Sequence, residues 1–475
     1  MKLTLRDLVR WDGEIDRGTY ALVGLAGFAI KHNMDRYVAH HFFNREWGVF
    51  NYWIPPDQLL AFSALSDLDR AFLFTMMALA LPFVWVGVMF TIKRLRSAGM
   101  PLWPAILFFA PVVNLLFFVW LSVVPRREPG TAPEPLWAAT SPLGRWVPQN
   151  SWGSAALAVL LTGVLGGLFT WLSAFGLGQY AWSLFVALPF CQGLITVLLY
   201  SFHHQRSMLT CLGVSLLGPV LFGLILLAMA WEGLICLLMA APLAFPLVAM
   251  GGMMGYSIQN RAWMRRQASS TMAVFILALG GTGAIEPVVL PESPVFAVTT
   301  SLDIVAPPET VWDNVVTFSE LPEPTEWLFR KGIAYPVRAR IEGSGVGAVR
   351  YCEFSTGSFV EPIEVWEAPR LLKFSVIETP APMVEWNPMG EVHAPHLDGF
   401  LVSRAGQFHL IRLPGGRTRL EGTTWYQHNL WPAEYWRLWS DAIIHRIHLR
   451  VLTHIQRLSE TEMHGREEAS DAARD

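Results

Sequence analysis

Val298-Thr299-Thr300-Ser301-Leu302-Asp303-Ile304-Val305-Ala306-Pro307-Pro308-Glu309-Thr310-Val311-Trp312 decides how the C-terminal third of this 475-residue chain is read. Up to Ile304, apolar and polar residues alternate, the period-two mark of a strand with one buried face. Ala306-Pro307-Pro308 then closes the strand, and proline is tolerated in the first turn of a helix. Val311, Trp312, Val315 and Val316 continue at helical spacing, which predicts a helix near 308–319.

Downstream, the alternation recurs. Strands are expected at about 296–304, 337–342, 347–355, 358–367, 370–378, 399–413 and 417–428. Turn residues separate them at Gly343-Ser344-Gly345, Ser355-Thr356-Gly357, Ala368-Pro369 and Pro414-Gly415-Gly416. A short helix fits 322–329. A long one fits 432–460, where Trp436, Ile443, Ile447, Val451 and Leu458 form a single apolar stripe. Helix and antiparallel sheet must bury these faces against each other, so 295–460 reads as an α+β domain. Residues 461–475 read as a charged, disordered tail.

The Val298–Trp312 stretch resembles the opening of the SRPBCC superfamily, also called START-like or helix-grip, which includes polyketide cyclases and lipid and hormone binders. The resemblance covers about 295–460. It implies a seven-stranded antiparallel sheet around a long C-terminal helix, with an apolar ligand held between them.

Upstream, Pro287, Pro291 and Pro294 mark a stiff linker, and before it the composition changes. The whole chain is 53% hydrophobic and only 15% charged, with mean hydropathy +0.36; soluble proteins carry about 25% charge. A net charge of -3 excludes a generally basic nucleic-acid binder. A bilayer core of ~30 Å needs ~20 apolar helical residues. Eight runs are read as spans: 18–38, 70–91, 102–124, 153–175, 178–201, 208–230, 234–256 and 269–288. They group into membrane regions at 1–128 and 150–288. The aromatic segment 39–69 suits an interfacial loop. Gly163/Gly167 and Gly251/Gly255 have the spacing of close helix packing. Glu232 falls in a turn, Trp231-Glu232-Gly233. Lys93-Arg94-Leu95-Arg96-Ser97-Ala98-Gly99, then Trp103 and Ala110-Pro111-Val112-Val113-Asn114, resembles a bacterial inner-membrane family of unknown function with an Arg-Arg-Leu-His-Asp-x-Gly loop. That resemblance covers about 10–125, and this chain has Arg96 and Ser97 where the family has His and Asp. The loop alone reads as a positive cluster that fixes topology.

Asp441, His445 and His448 fall on one side of the last helix, steps of four and three apart. The 379–398 loop mixes Trp386, His393 and His396 with prolines and methionines, which suits a cover over an opening. Tyr426 and Arg350 lie on strands that would line the space. These eight residues are the candidate ligand contacts; the competing reading is a solvated polar edge and ordinary sheet packing. Gly343-Ser344-Gly345-Val346-Gly347 is a hairpin turn, since neither a Gly-x-Gly-x-x-Gly pattern nor a following helix is there. No His-x-x-x-His or Cys-x-x-Cys pair occurs, so no metal and no cofactor are expected. Three of the four cysteines lie in apolar runs and read as buried hydrophobes.

The expected function is membrane-anchored binding of an apolar small molecule: a lipid, isoprenoid or aromatic, polyketide-like compound. The alternatives are a cyclase/dehydratase-like lyase working by positioning and proton transfer, and a structural or signalling protein with a vestigial pocket. Expected partners are the bilayer and that ligand, with no nucleic acid; a homo-oligomer is compatible. The multi-pass topology points to a membrane, and the resemblance of the first third to a bacterial inner-membrane family implies the inner membrane. Basic residues number ten on the loops opposite the N terminus and seven on its own side, which leans to an external C-terminal domain.

Overall fold

A computed structural model describes residues 11–52, 67–99, 102–109, 113–123, 126, 143–390, 392 and 394–472. The chain divides into two units. One is Met1–Leu226 with Ala240–Pro291; the other is Leu227–Met239 with Glu292–Asp475.

The second unit contains seven strands: β1 Val295–Ile304, β2 Pro336–Glu342, β3 Val349–Phe354, β4 Gly357–Glu367, β5 Leu371–Ser375, β6 Leu401–Leu413 and β7 Arg417–His428. They form one half-barrel sheet in the order β1-β7-β6-β5-β4-β3-β2, with every pairing antiparallel. The first strand thus closes on the last, Val295 opposite Gln427 and Ile304 opposite Thr418. Alternation sorts the side chains. Phe296, Val298, Thr300 and Ile304 of β1 are buried, as are Thr418, Leu420, Tyr426 and His428 of β7.

The helix expected near 308–319 spans Pro308–Val316, and its Trp312 meets Trp366 edge-on at 5.6 Å. The short helix is a single turn, Trp327–Arg330. The C-terminal helix, Ala433–Ala472, is longer than expected. It runs through most of the segment read as a disordered tail. Its Val451, Leu452 and Ile455 join Ile304, Leu372, Leu410 and Leu420 in the core. Ile443, Ile444 and Ile447, one to three turns earlier on the same helix, stay only partly buried and lie outside that cluster. The core therefore closes under the Val451–Ile455 stretch of the helix and less fully under Ile443–Ile447 before it.

Among the described residues of the first unit and the 227–239 segment, six helices are long and apolar enough to cross a membrane: Leu68–Ser97, Ser151–Gly176, Ser183–Tyr200, Met208–Ala228, Leu234–Gln259 and Ala268–Val289. The other two of the eight expected spans are not among them. Arg17–Phe43 is helical, but Lys31 and Asp35 pair within it and Tyr52 donates to Asp35 at 2.7 Å, so its charge keeps it outside that class. Of the 102–124 run, a 3₁₀ stretch, Trp103–Phe109, and a helix, Val113–Val123, are seen; residues 110–112 and 124 lie outside the described residues. Of the 39–69 loop, a 3₁₀ turn at Val49–Tyr52 forms; residues 53–66 lie outside the described residues.

The Ser183–Tyr200 helix is enclosed by its own unit along nearly its whole length. Gly251 and Gly193 make this enclosure feasible. A Cβ on Gly251 would stand 2.0 Å from the Phe190 carbonyl oxygen, and one on Gly193 2.0 Å from that of Val248. The Gly251/Gly255 spacing is thus used for backbone approach, whereas Gly163 and Gly167 meet side chains at ordinary distances.

The Lys93–Gly99 stretch is less exposed than a topology signal needs to be. Lys93 and Arg94 are buried. Arg94 donates from Nε to the Leu121 carbonyl at 2.9 Å and from a terminal nitrogen to Ser97 Oγ at 2.7 Å. Ser97 Oγ in turn donates to the Ile15 carbonyl at 2.6 Å. The guanidinium therefore satisfies the last turn of Val113–Val123, where a cation is favoured. Glu286, buried in the last turn of Ala268–Val289, accepts from the Ser183 N–H at 2.7 Å and from its hydroxyl.

Candidate functional site

Two polar tracts lie on the concave face of the sheet. The first lies under the Asp441–His448 stretch of the C-terminal helix. Thr300 on β1 and Thr424 on β7 point to this side because both share the inward register of Val298 and Tyr426. Thr300 Oγ1 is 2.8 Å from His445 Nδ1 and 3.1 Å from His448 Nδ1. His448 Nε2 reaches Thr424 Oγ1 at 2.8 Å, so one imidazole bridges two strands. A turn earlier, Tyr426 donates its hydroxyl to Asp441 at 2.6 Å, and Arg437 Nε donates to the other carboxylate oxygen at 3.1 Å. The Arg437 guanidinium lies 4.9 Å from the Phe296 ring, which stacks on His428 at 5.3 Å.

Burial sets the protonation states here. His448 is held down to about 4 by burial, with His445 beside it adding in the same direction. His428 is also held down to about 4 by burial. Burial and the hydrogen bond to Asp441 push the Tyr426 phenol up. At neutral pH the tract therefore offers two neutral imidazoles, a neutral phenol and a carboxylate already tied to Arg437.

These depressed values carry a pH prediction. Below pH ~6.5 the unfolded chain takes up protons that the folded domain refuses. Stability is thus complete above that pH and is lost as pH falls toward 4. The loss between pH 7 and pH 5 should be about 1–2 kcal/mol for each ring. Hydrogen-exchange protection factors of β1 and β7 amides should fall accordingly, and His448→Gln should remove about half of the change. Protection unchanged between pH 7 and pH 5 would contradict the buried neutral state.

The second tract is one ion pair. Arg350 on β3 and Glu361 on β4 face each other across the hairpin register and bond directly, both buried. The guanidinium is surrounded by Phe318, Phe374 and Phe408 at 5.4–5.6 Å. Burial opposes both charges. Glu361 is pushed up by burial while Arg350 pulls against that, and Arg350 stays above its ordinary value because Glu361 lies beside it.

The structure thus brings four of the eight expected residues, Asp441, His445, His448 and Tyr426, into one tract. Arg350 shares the concave face but has its own partner. Trp386 and His396 are elsewhere. The 379–398 loop, read as a cover over the opening, instead docks on Leu227–Met239. Leu234 N–H donates to the Trp386 carbonyl at 3.0 Å, and Asn387 Nδ2 donates to the carbonyls of Leu227 and Glu232, each at 3.0 Å. The Trp386 ring itself is exposed. Glu385 accepts from the N–H groups of Ile235 and Cys236 at 3.1 and 2.9 Å, a carboxylate at the start of a helix. Gly233 permits that approach, since a Cβ there would stand 2.0 Å from a Glu385 oxygen. His396, in the 3₁₀ turn Pro395–Leu397, is buried with its Nδ1 3.4 Å from a Glu232 oxygen. His393 lies outside the described residues.

Sequence reasoning missed Thr300, Arg437, His428 and Glu361. The opposition of Arg350 and Glu361 was within reach, because each sits on the inward register of consecutive strands. The second face of Glu232 was not: it does sit in a turn, as read, but its side chain points inward to residues far along the chain.

No family model matches this chain, and no curated protein matches it. Among solved structures it is similar to norcoclaurine synthase of Thalictrum flavum, at 12% identity over 37% of this chain and 99% of that one, TM-score 0.25. It is also similar to the XoxI protein of Bacillus cereus, at 18% identity over 34% of this chain and 94% of that one, TM-score 0.23. A protein of Nitrosospira multiformis is similar at 18% identity over 36% of this chain and 99% of that one, TM-score 0.23.

Proposed function

We propose that this protein holds an apolar small molecule against the concave face of its C-terminal sheet, anchored by its apolar helices in the bilayer. The observation that carries the reading is the uneven closure under the C-terminal helix. Its Val451–Ile455 stretch is sealed into the core. The stretch before it presents part-exposed Ile443, Ile444 and Ile447 beside a tract of hydroxyls, imidazoles and a phenol. Apolar walls with a few convergent polar groups are what small-molecule recognition requires. The ligand class is a lipid, isoprenoid or aromatic compound, and the location is a bacterial inner membrane with the C-terminal domain external.

The test is organic extraction and mass spectrometry of the detergent-purified full chain, followed by titration with the compound found. His445→Ala should lower affinity about tenfold, or 1.4 kcal/mol, with the fold intact. Trp386→Ala, whose ring faces solvent, should leave affinity unchanged. Equal affinity in wild type, His445→Ala and Ile447→Asp would remove the proposal. The Tyr426–Asp441 hydrogen bond beside a neutral imidazole favours proton transfer as a second reading. Conversion of the extracted compound by wild type but not by Tyr426→Phe would select it.

A further inference from the structure

Glu232, Cys236 and His396 form a cluster apart from the concave face. One carboxylate oxygen, the thiol sulfur and one imidazole nitrogen all lie within 4.8 Å of one another, and all three side chains are buried. They come from two segments brought together by folding: a turn running into the first helical turn of Leu234–Gln259, and the Pro395–Leu397 turn of the distant loop. Glu232 and Cys236 are four residues apart across that helix start, so their side chains project to the same side.

The 379–398 loop, which carries His396, is held against the helix start by the Trp386, Asn387 and Glu385 contacts described above, none of which uses the three donor atoms. Such bonds help to preorganise a site. Tyr435, on the C-terminal helix, also donates its hydroxyl to the Met239 carbonyl. Two carboxylates, Glu232 and Glu385, are buried here, and both oxygens of Glu385 are engaged by backbone donors.

We propose that Glu232, Cys236 and His396 bind one zinc ion. Sulfur, imidazole nitrogen and carboxylate oxygen are its usual donors, and three protein ligands leave a fourth position of the tetrahedron open. Glu385 is a supporting group that holds the helix start carrying Cys236. Sequence spacing could not signal this site. Its sulfur and its imidazole are separated by most of the C-terminal domain, so no short metal motif exists, and the expectation of no metal rested on that absence.

The experiment uses the full chain purified in detergent without chelators. Metal analysis should find about one zinc per chain, falling to about a tenth or less in Cys236→Ser/His396→Ala. Glu385→Gln should keep one zinc per chain but bind it about tenfold more weakly. Cobalt replacement in the wild-type protein needs no variant to fold: a cobalt–thiolate charge-transfer band is expected and should vanish in Cys236→Ser. Wild-type protein that binds neither zinc nor cobalt would overturn the proposal. So would equal zinc in wild type and the double variant, or a cobalt spectrum without thiolate character.

Discussion

Replacing Arg350 with methionine should destabilise the C-terminal domain by about 3–5 kcal/mol, the cost of leaving a buried charge without its partner. The stranded group is Glu361, which is enclosed with Arg350 and has no solvent to turn to. Methionine fills most of the vacated space among Phe318, Phe374 and Phe408, so lost packing is the smaller part of the effect. Removing both charges, as Arg350→Met/Glu361→Leu, should recover most of that loss, because an apolar pair of similar volume avoids desolvating either ion. Urea unfolding followed by near-ultraviolet circular dichroism can measure the cycle. A double variant as unstable as the single one would show that the pair contributes more than mutual compensation. If the double variant is stable yet no longer retains the extracted ligand, the pair contacts that ligand.

Gly251→Val should be at least as damaging, and in the other unit. The new side chain would meet the Phe190 backbone carbonyl, which cannot rotate away as a side chain can. Overpacking in a well-filled interior costs about 1–3 kcal/mol when side chains can give way. Here two helices must separate, which opens the contact along Gly193, Gly251 and Gly255. We expect loss of the purified, monodisperse protein in detergent. Gly163→Ala, whose Cβ would meet Leu221 at 3.4 Å, should be tolerated. Equal thermal stability of the two variants would show that the close approach is not needed.

Much of the C-terminal fold was legible because its strands alternate cleanly and its turns carry glycine and proline. The seven strands and the Pro308–Val316 helix follow directly from that pattern. The far end of the last helix was not legible, since charge alone cannot separate a solvated helix from a tail. In the apolar region, run length marked six helices well. At 102–124 it counted across residues 110–112, which lie outside the described residues. The candidate site was legible where spacing along one helix sufficed, as for Asp441, His445 and His448. Trp386 and His396 share a loop with the odd composition that drew notice, but composition does not say what a loop will dock on. Its partner, Leu227–Met239, sits among apolar helices in the sequence and with the C-terminal unit in space.

The pairing of β1 with β7 has a consequence in time. β1 leaves the ribosome first among the strands, yet its only sheet neighbour is the last to be made. At ~5–20 residues per second, synthesis of the intervening chain takes roughly ten seconds. Throughout that interval the growing domain has β2 to β6 available as consecutive hairpins while β1 stays without a mate. The nascent chain thus spends its most aggregation-prone period with that edge of the sheet unpaired.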